Sequence, residues 1–134
     1  MHILVLNCGS SSLSYKIFEV SGETATILLA GKAHRVGVTG SEPSFLENTL
    51  HGAVERETVP ITTHREATAL ALRYIRARSL PVDCIGHRFV HGGTYFRQST
   101  FVDDSSLPDL IKCLPLAPLH NPTALSAIYE CRAT

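Results

Sequence analysis

The chain has 134 residues, with 12 Lys plus Arg balanced by 12 Asp plus Glu, seven His, four Cys and 44% hydrophobic residues. That describes one ordinary domain, long enough to bury about 68% of the surface its unfolded chain exposes without a disulfide or structural metal. Zero net charge argues against a nucleic-acid or anionic-membrane binder, which carries a basic excess, and 18% charged residues with no polar low-complexity tract argue against disorder.

Residues 2–7 (HILVLN) form an unalternating apolar run that reads as a strand. The run is far shorter than the roughly 20 residues of a membrane span, and no Lys or Arg precedes residue 16 to make a signal peptide; a cytoplasmic protein is expected. NCGSSS then supplies turn chemistry, and Leu13 to Val20 returns in an alternating pattern, so the two predict a hairpin. Ser21-Gly22-Glu23-Thr24 is a second turn and Ala25 to His34 a third strand, which makes the opening an antiparallel meander. Between Gly37 and Pro60 the pattern weakens, and short strands are expected there.

Thr63 followed by Glu66 is a capping box, after which Ala67, Leu70, Ala71, Tyr74 and Ile75 recur at helical spacing and predict a helix over about 64–78. Arg73, Arg76 and Arg78 complement the macrodipole at its C-terminal end. Cys84 to His91 reads as a strand stopped by Gly92-Gly93, and a short helix from about Leu107 to Leu114 follows, capped by Ser106 and ended by Pro115. Asn121-Pro122 starts the last helix, with Asn at the cap, Pro at the first helical position, and Leu125 and Ile128 on the buried side. That pattern meets no Gly or Pro before Thr134, so a domain cut from a longer chain is expected. Cys8, Cys84, Cys113 and Cys131 form no C-x-x-C pair; buried or half-buried thiols are expected, not a zinc site or disulfide framework.

Three segments carry chemistry. In Asn7-Cys8-Gly9-Ser10-Ser11-Ser12, Gly lets backbone N–H groups approach an anion, the hydroxyls add donors, and the Asn carbonyl can face a metal or its water. In His87-Arg88-Phe89-Val90-His91-Gly92-Gly93, strand alternation puts Arg88 and Val90 on one face. A guanidinium beside an apolar wall suits a small carboxylate with an alkyl tail; the two His, about 13 Å apart on a strand, do not share a metal. In Leu116-Ala117-Pro118-Leu119-His120-Asn121-Pro122, His120 stands just ahead of a helix N-terminus, where phosphate oxygens are attracted. Each segment alone also reads as ordinary turn, strand or loop.

Together NCGSSSL, GHRFVHGG and LAPLHNP, in this order and spacing, resemble the acetate kinase family over residues 2–132. The resemblance implies an actin, sugar kinase and Hsp70-like (ribonuclease H-like) α/β fold, with an antiparallel meander opening a mixed sheet flanked by helices. It implies that residues 1–134 are the N-terminal domain, with the C-terminal nucleotide-binding domain absent. The implied reaction is reversible transfer of the ATP γ-phosphate to a short carboxylate such as acetate, giving acetyl phosphate and ADP with Mg2+, by a protein that is a homodimer at full length. By motif, Asn7 resembles the metal and phosphate contact, Ser10 and Ser12 the phosphate-loop hydroxyls, and Arg88 the arginine that holds carboxylate and transferring phosphoryl. His120 resembles the histidine on phosphoryl oxygens, and Val90 and Leu119 part of the alkyl pocket. One position departs, since relatives commonly carry Lys where this chain has Ser14. The resemblance also implies that a catalytic Asp, a second Arg, a metal-binding Glu and most of the adenosine site lie beyond Thr134. The alternative is a non-catalytic module of the same fold that binds an anion or a partner.

Overall fold

The computed structural model describes residues 1–134. Its first three strands are the meander that the alternation predicts: β1 (His2–Cys8), β2 (Ser12–Ser21) and β3 (Thr24–His34), paired antiparallel in turn. The weak stretch that follows holds β4 (Phe45–Leu50) and β5 (Ala53–Thr58). They are joined by His51-Gly52 at φ 52° and 77°, the left-handed pair that a two-residue hairpin turn requires. After α1 (His64–Ala77) the chain returns as β6 (Cys84–His87), parallel to β1, and the mixed sheet runs β5-β4-β3-β2-β1-β6.

Helix α1 and the last helix, α3 (Asn121–Ala133), pack together over one face of the sheet. Leu4, Leu6, Leu13, Tyr15, Ile17, Leu29, Ala33 and Leu46 point toward Ala67, Ala71, Leu72, Ile75 and Ala127 in the main core. Small helical residues let the helices approach closely, and Gly31 does the same for the sheet. A Cβ there would lie 2.2 Å from the Tyr15 ring, which crosses it to donate a 2.5 Å hydrogen bond to Asn48 Oδ1. On the opposite face Val5 and Ser14 are half-buried and Asn7 and Lys16 exposed. A smaller core joins Leu125 and Ile128 of α3 to Leu110 of α2 (Leu107–Lys112), with Phe89 and Phe96 against them.

Several local expectations are corrected. Thr63 Oγ1 does accept from the Glu66 N–H, but the Glu66 carboxylate reaches back to the N–H and hydroxyl of Thr62, both at 2.8 Å, instead of Thr63. Those bonds hold its carboxyl below the usual range. Arg73 and Arg78 are drawn off the helix axis to Glu57 and Glu55 of β5, with Arg78 also over the Tyr74 ring, which leaves Arg76 as the one cation of the last turn. Strand β6 ends at His87, four residues before the expected stop. Ser106 occupies the cap position of α2 as expected but its side chain makes no cap bond: its hydroxyl accepts from the Asp103 N–H and donates to Phe101 O, while Pro115 sits inside a short 3-10 turn at Leu114–Leu116. Asn121 is the first residue of α3 and not its cap, because its side chain is engaged elsewhere. Of the four thiols, Cys84 is exposed, since it lies on the edge strand.

Candidate phosphoryl site

The buried run of β1 ends at Cys8, and the chain turns back within four residues. Gly9 N–H donates to Ser12 O at 2.8 Å. A Cβ on Gly9 would fall 2.6 Å from Ser12 Oγ, so any larger residue there displaces that hydroxyl. Three remote bonds hold this turn in place. Val36 N–H donates to Ser11 O at 2.9 Å, and the Cys8 thiol approaches Thr123 O in the first turn of α3 at 3.6 Å. His64 Nε2, buried at the start of α1, lies 2.7 Å from Gly9 O; a carbonyl only accepts, so Nε2 carries the proton. Burial pushes the Cys8 thiol up to about 11, which keeps it protonated and inert. Asn7 and Ser10 stand exposed on the rigid turn, with Ser12 half-buried behind them.

Strand β6 brings in the second segment. It is parallel to β1, so both strands end on the same side of the sheet, the side where open α/β sheets bind ligands. Arg88 N–H donates to Leu6 O at 3.1 Å and extends the ladder by one bond, which sets Arg88 beside the end of β1. Its guanidinium is exposed. Of the twelve Lys and Arg, seven (Arg35, Arg56, Arg65, Arg73, Arg78, Lys112 and Arg132) have a carboxylate within 4.0 Å, and Arg88 is among the other five.

Asn121 ties this segment to the third. Its wholly buried amide donates from Nδ2 to His91 O at 2.9 Å and Cys113 O at 2.8 Å, and accepts from His91 N–H at 3.3 Å. This clamp keeps His91 off the sheet, because both of its backbone groups bond to Asn121 and neither to a ladder. The glycines permit the close turn: a Cβ at Gly92 would lie 2.6 Å from Phe96 O, and Gly93 sits at φ 60° against Leu116. His120, half-buried, occupies the cap position of α3, with no side-chain cap bond.

The expected sharing of one strand face by Arg88 and Val90 does not hold, since the strand ends at His87. Val90 instead lines a cleft of about 880 Å3 along β6 with His87, Phe89, Ile128 and Cys131, whereas Arg88 does not line it. Leu119 is 75% exposed and lies outside that cleft too. Burial pushes His87 down to about 4, so its imidazole is neutral at ordinary pH. No three His, Cys, Asp or Glu side chains stand close enough to hold a metal. The oxygen on offer is the free amide of Asn7, which fits a Mg2+ ion that keeps its waters and is held mainly by phosphate oxygens, and does not fit an all-protein cage.

His64 and Asn121 shape the site and were not legible as site residues. His64 follows an N-cap with nothing local to link it to Gly9, and Asn-Pro carries the signal of a cap. A hint lay in Asn121 sharing its segment with His120.

A mixed sheet with helices over one face, and a hydroxyl-rich turn between its first two strands at the ligand end, is the α/β fold of the actin and sugar kinase type. Solved structures share it: an acetate kinase from Entamoeba histolytica superposes with a TM-score of 0.83 at 35% identity, matching 97% of this chain and 31% of its own. A propionate kinase from Francisella tularensis gives 0.83 at 28% identity, matching 98% and 33%. The chain belongs to the acetokinase family, whose model matches residues 2–134. An acetate kinase from Azobacteroides pseudotrichonymphae is 42% identical over 140 residues, covering 96% of this chain. The chain spans about a third of the length of these relatives, 33% in that case. No helix is long and apolar enough to cross a membrane.

Proposed function

We propose that residues 1–134 serve as the N-terminal domain of an acetate kinase-like phosphotransferase, moving the ATP γ-phosphate reversibly to acetate to give acetyl phosphate and ADP. One observation carries this reading: the fixed Asn7–Ser12 turn, the unpaired Arg88 and the His120 helix start converge at one end of the β1/β6 pair. Phosphoryl transfer asks for alignment and for neutral surroundings of the equatorial oxygens more than for covalent chemistry by the protein. Ser10 and Ser12 donate to phosphate oxygens, Arg88 makes the planar two-bond contact that spans carboxylate and phosphoryl group, and His120 donates to the phosphoryl oxygens. Asn7 would be this chain's contact for a Mg2+ ion, which would supply neutralisation of the phosphate charge. The nucleotide half of the cleft, and homodimerisation, belong to the longer protein in this reading.

The test is a chimera carrying residues 1–134 in place of the matching third of the Entamoeba histolytica acetate kinase, assayed with acetate, MgATP and hydroxylamine, which traps acyl phosphate as a hydroxamate. The chimera turns over, and Arg88→Lys in it loses about a hundredfold, since an ammonium keeps the charge but not the fork. The chain by itself stays below about 1 turnover per second, the low end of typical enzymes. A near-normal Arg88→Lys chimera removes Arg88 from the mechanism.

A further inference from the structure

Across the sheet face opposite the helices, the strand registers align four side chains: Asn7 faces Ser14, Ser14 faces Lys32, and Lys32 faces Glu47. Cross-strand partners point to the same face, so Lys32 stands in one row with Asn7, across the short Ser14 hydroxyl. Two strand spacings separate them, about 10 Å, most of which an extended lysine covers. Glu47 is the carboxylate expected to neutralise Lys32, but it is engaged by Arg56 Nε at 2.5 Å and faced by His34 Nε2 at 4.0 Å. Lys32 therefore has no acidic partner within 4.0 Å, in contrast to the seven paired cations.

The next row toward the loop is Ser12 facing His34, which faces Phe45. The His34 ring stacks on Phe45 at 4.2 Å, and its buried Nε2 has no hydrogen-bond partner. Burial and then the charge of Lys32 lower the His34 pKa, so the ammonium acts on the row that contains Ser12. An unpaired cation and a ring nitrogen without a hydrogen-bond partner thus stand together one row from the exposed turn.

We propose that Lys32 is a phosphoryl-binding residue, its ammonium reaching over Ser14 to an anionic phosphoryl group held on the Asn7–Ser12 turn. The group is then flanked by two cations, Arg88 from the β6 side and Lys32 from the β3 side. This rests on the function proposed above and extends it to a residue outside the three motifs.

The experiment titrates inorganic phosphate into the 15N-labelled chain at constant ionic strength and follows the loop amides, comparing wild type with Lys32→Gln, Lys32→Arg, Lys16→Gln and Ser12→Ala. Lys16 lies on the same face one row farther from the turn and also lacks an ion-pair partner, so it controls for diffuse surface charge. The Kd for phosphate rises about fivefold in Lys32→Gln, as loss of one charge-assisted contact requires, and stays within about twofold in Lys32→Arg and Lys16→Gln. Adding Ser14→Lys to Lys32→Gln restores binding, because the two positions are cross-strand neighbours on one face. Equal losses in Lys32→Gln and Lys16→Gln overturn the proposal. If Ser12→Ala weakens binding while Lys32→Gln does not, Lys32 is excluded and the reading of the loop stands. A wild-type chain with no saturable response to phosphate overturns both.

Discussion

Replacing Asn121 with Ala tests whether the clamp between the second and third segments holds the site together. The side chain is wholly buried and makes three hydrogen bonds, two to carbonyls and one from an N–H. Alanine removes all three and leaves Cys113 O and the backbone of His91 without their partner in a place that water reaches poorly. Each buried group left unsatisfied costs about 1–3 kcal/mol; with some relaxation of the exposed His91 turn, the expected loss is about 3 kcal/mol, a large share of the 5–15 kcal/mol of an ordinary domain. Urea unfolding followed by circular dichroism measures it, with an unchanged slope showing that the unfolded state is the same. Asn121→Asp keeps the shape but turns an oxygen toward both carbonyls, so it is at least as destabilising at pH 7. A loss below about 0.5 kcal/mol in Asn121→Ala would refute the clamp, and full stability in Asn121→Asp would refute the assignment of donor and acceptor.

Stability also depends on pH through His87. Its folded pKa is lowered to about 4 by burial, so between the unfolded value near 6.5 and about 4 the unfolded chain binds the extra proton; stability is full above about pH 6.5 and falls as pH drops through that window. At pH 5 the expected loss is about 1–2 kcal/mol after allowance for partial exposure, read from urea midpoints at pH 7 and 5, and His87→Leu flattens that part of the slope. Thiol titration of the native chain at pH 7.5 gives one fast thiol, the exposed Cys84, whereas Cys8 and Cys131, both pushed up to about 11, react on unfolding. A second fast thiol would refute the protection of Cys8 and of the half-buried Cys131. His64→Ala frees Gly9 O and loosens the turn, so phosphate affinity falls about tenfold, while His64→Gln, which keeps an N–H donor, loses less; equal affinities in all three chains would show that the turn is rigid without this bond.

What the sequence determined by itself were the features governed by neighbours a few residues apart. Alternation in residues 13–20 and 25–34 specified β2 and β3, Thr63 with Glu66 and the spacing after them specified α1, and the three motifs named the exposed groups Asn7, Ser10 and Arg88. Tertiary structure decided everything that depends on a partner far along the chain. His64 meets Gly9 across 55 residues, Asn121 meets His91 across 30, and Arg78 meets Glu55 across 23. Two of these overrode local preferences: Asn121 left the cap and holds His91 off the strand, and Arg78 left the helix axis. The physical reason is that polar groups settle where the fold delivers a partner, the buried ones because unbonded burial costs desolvation, and periodicity carries no information about which residue that partner is.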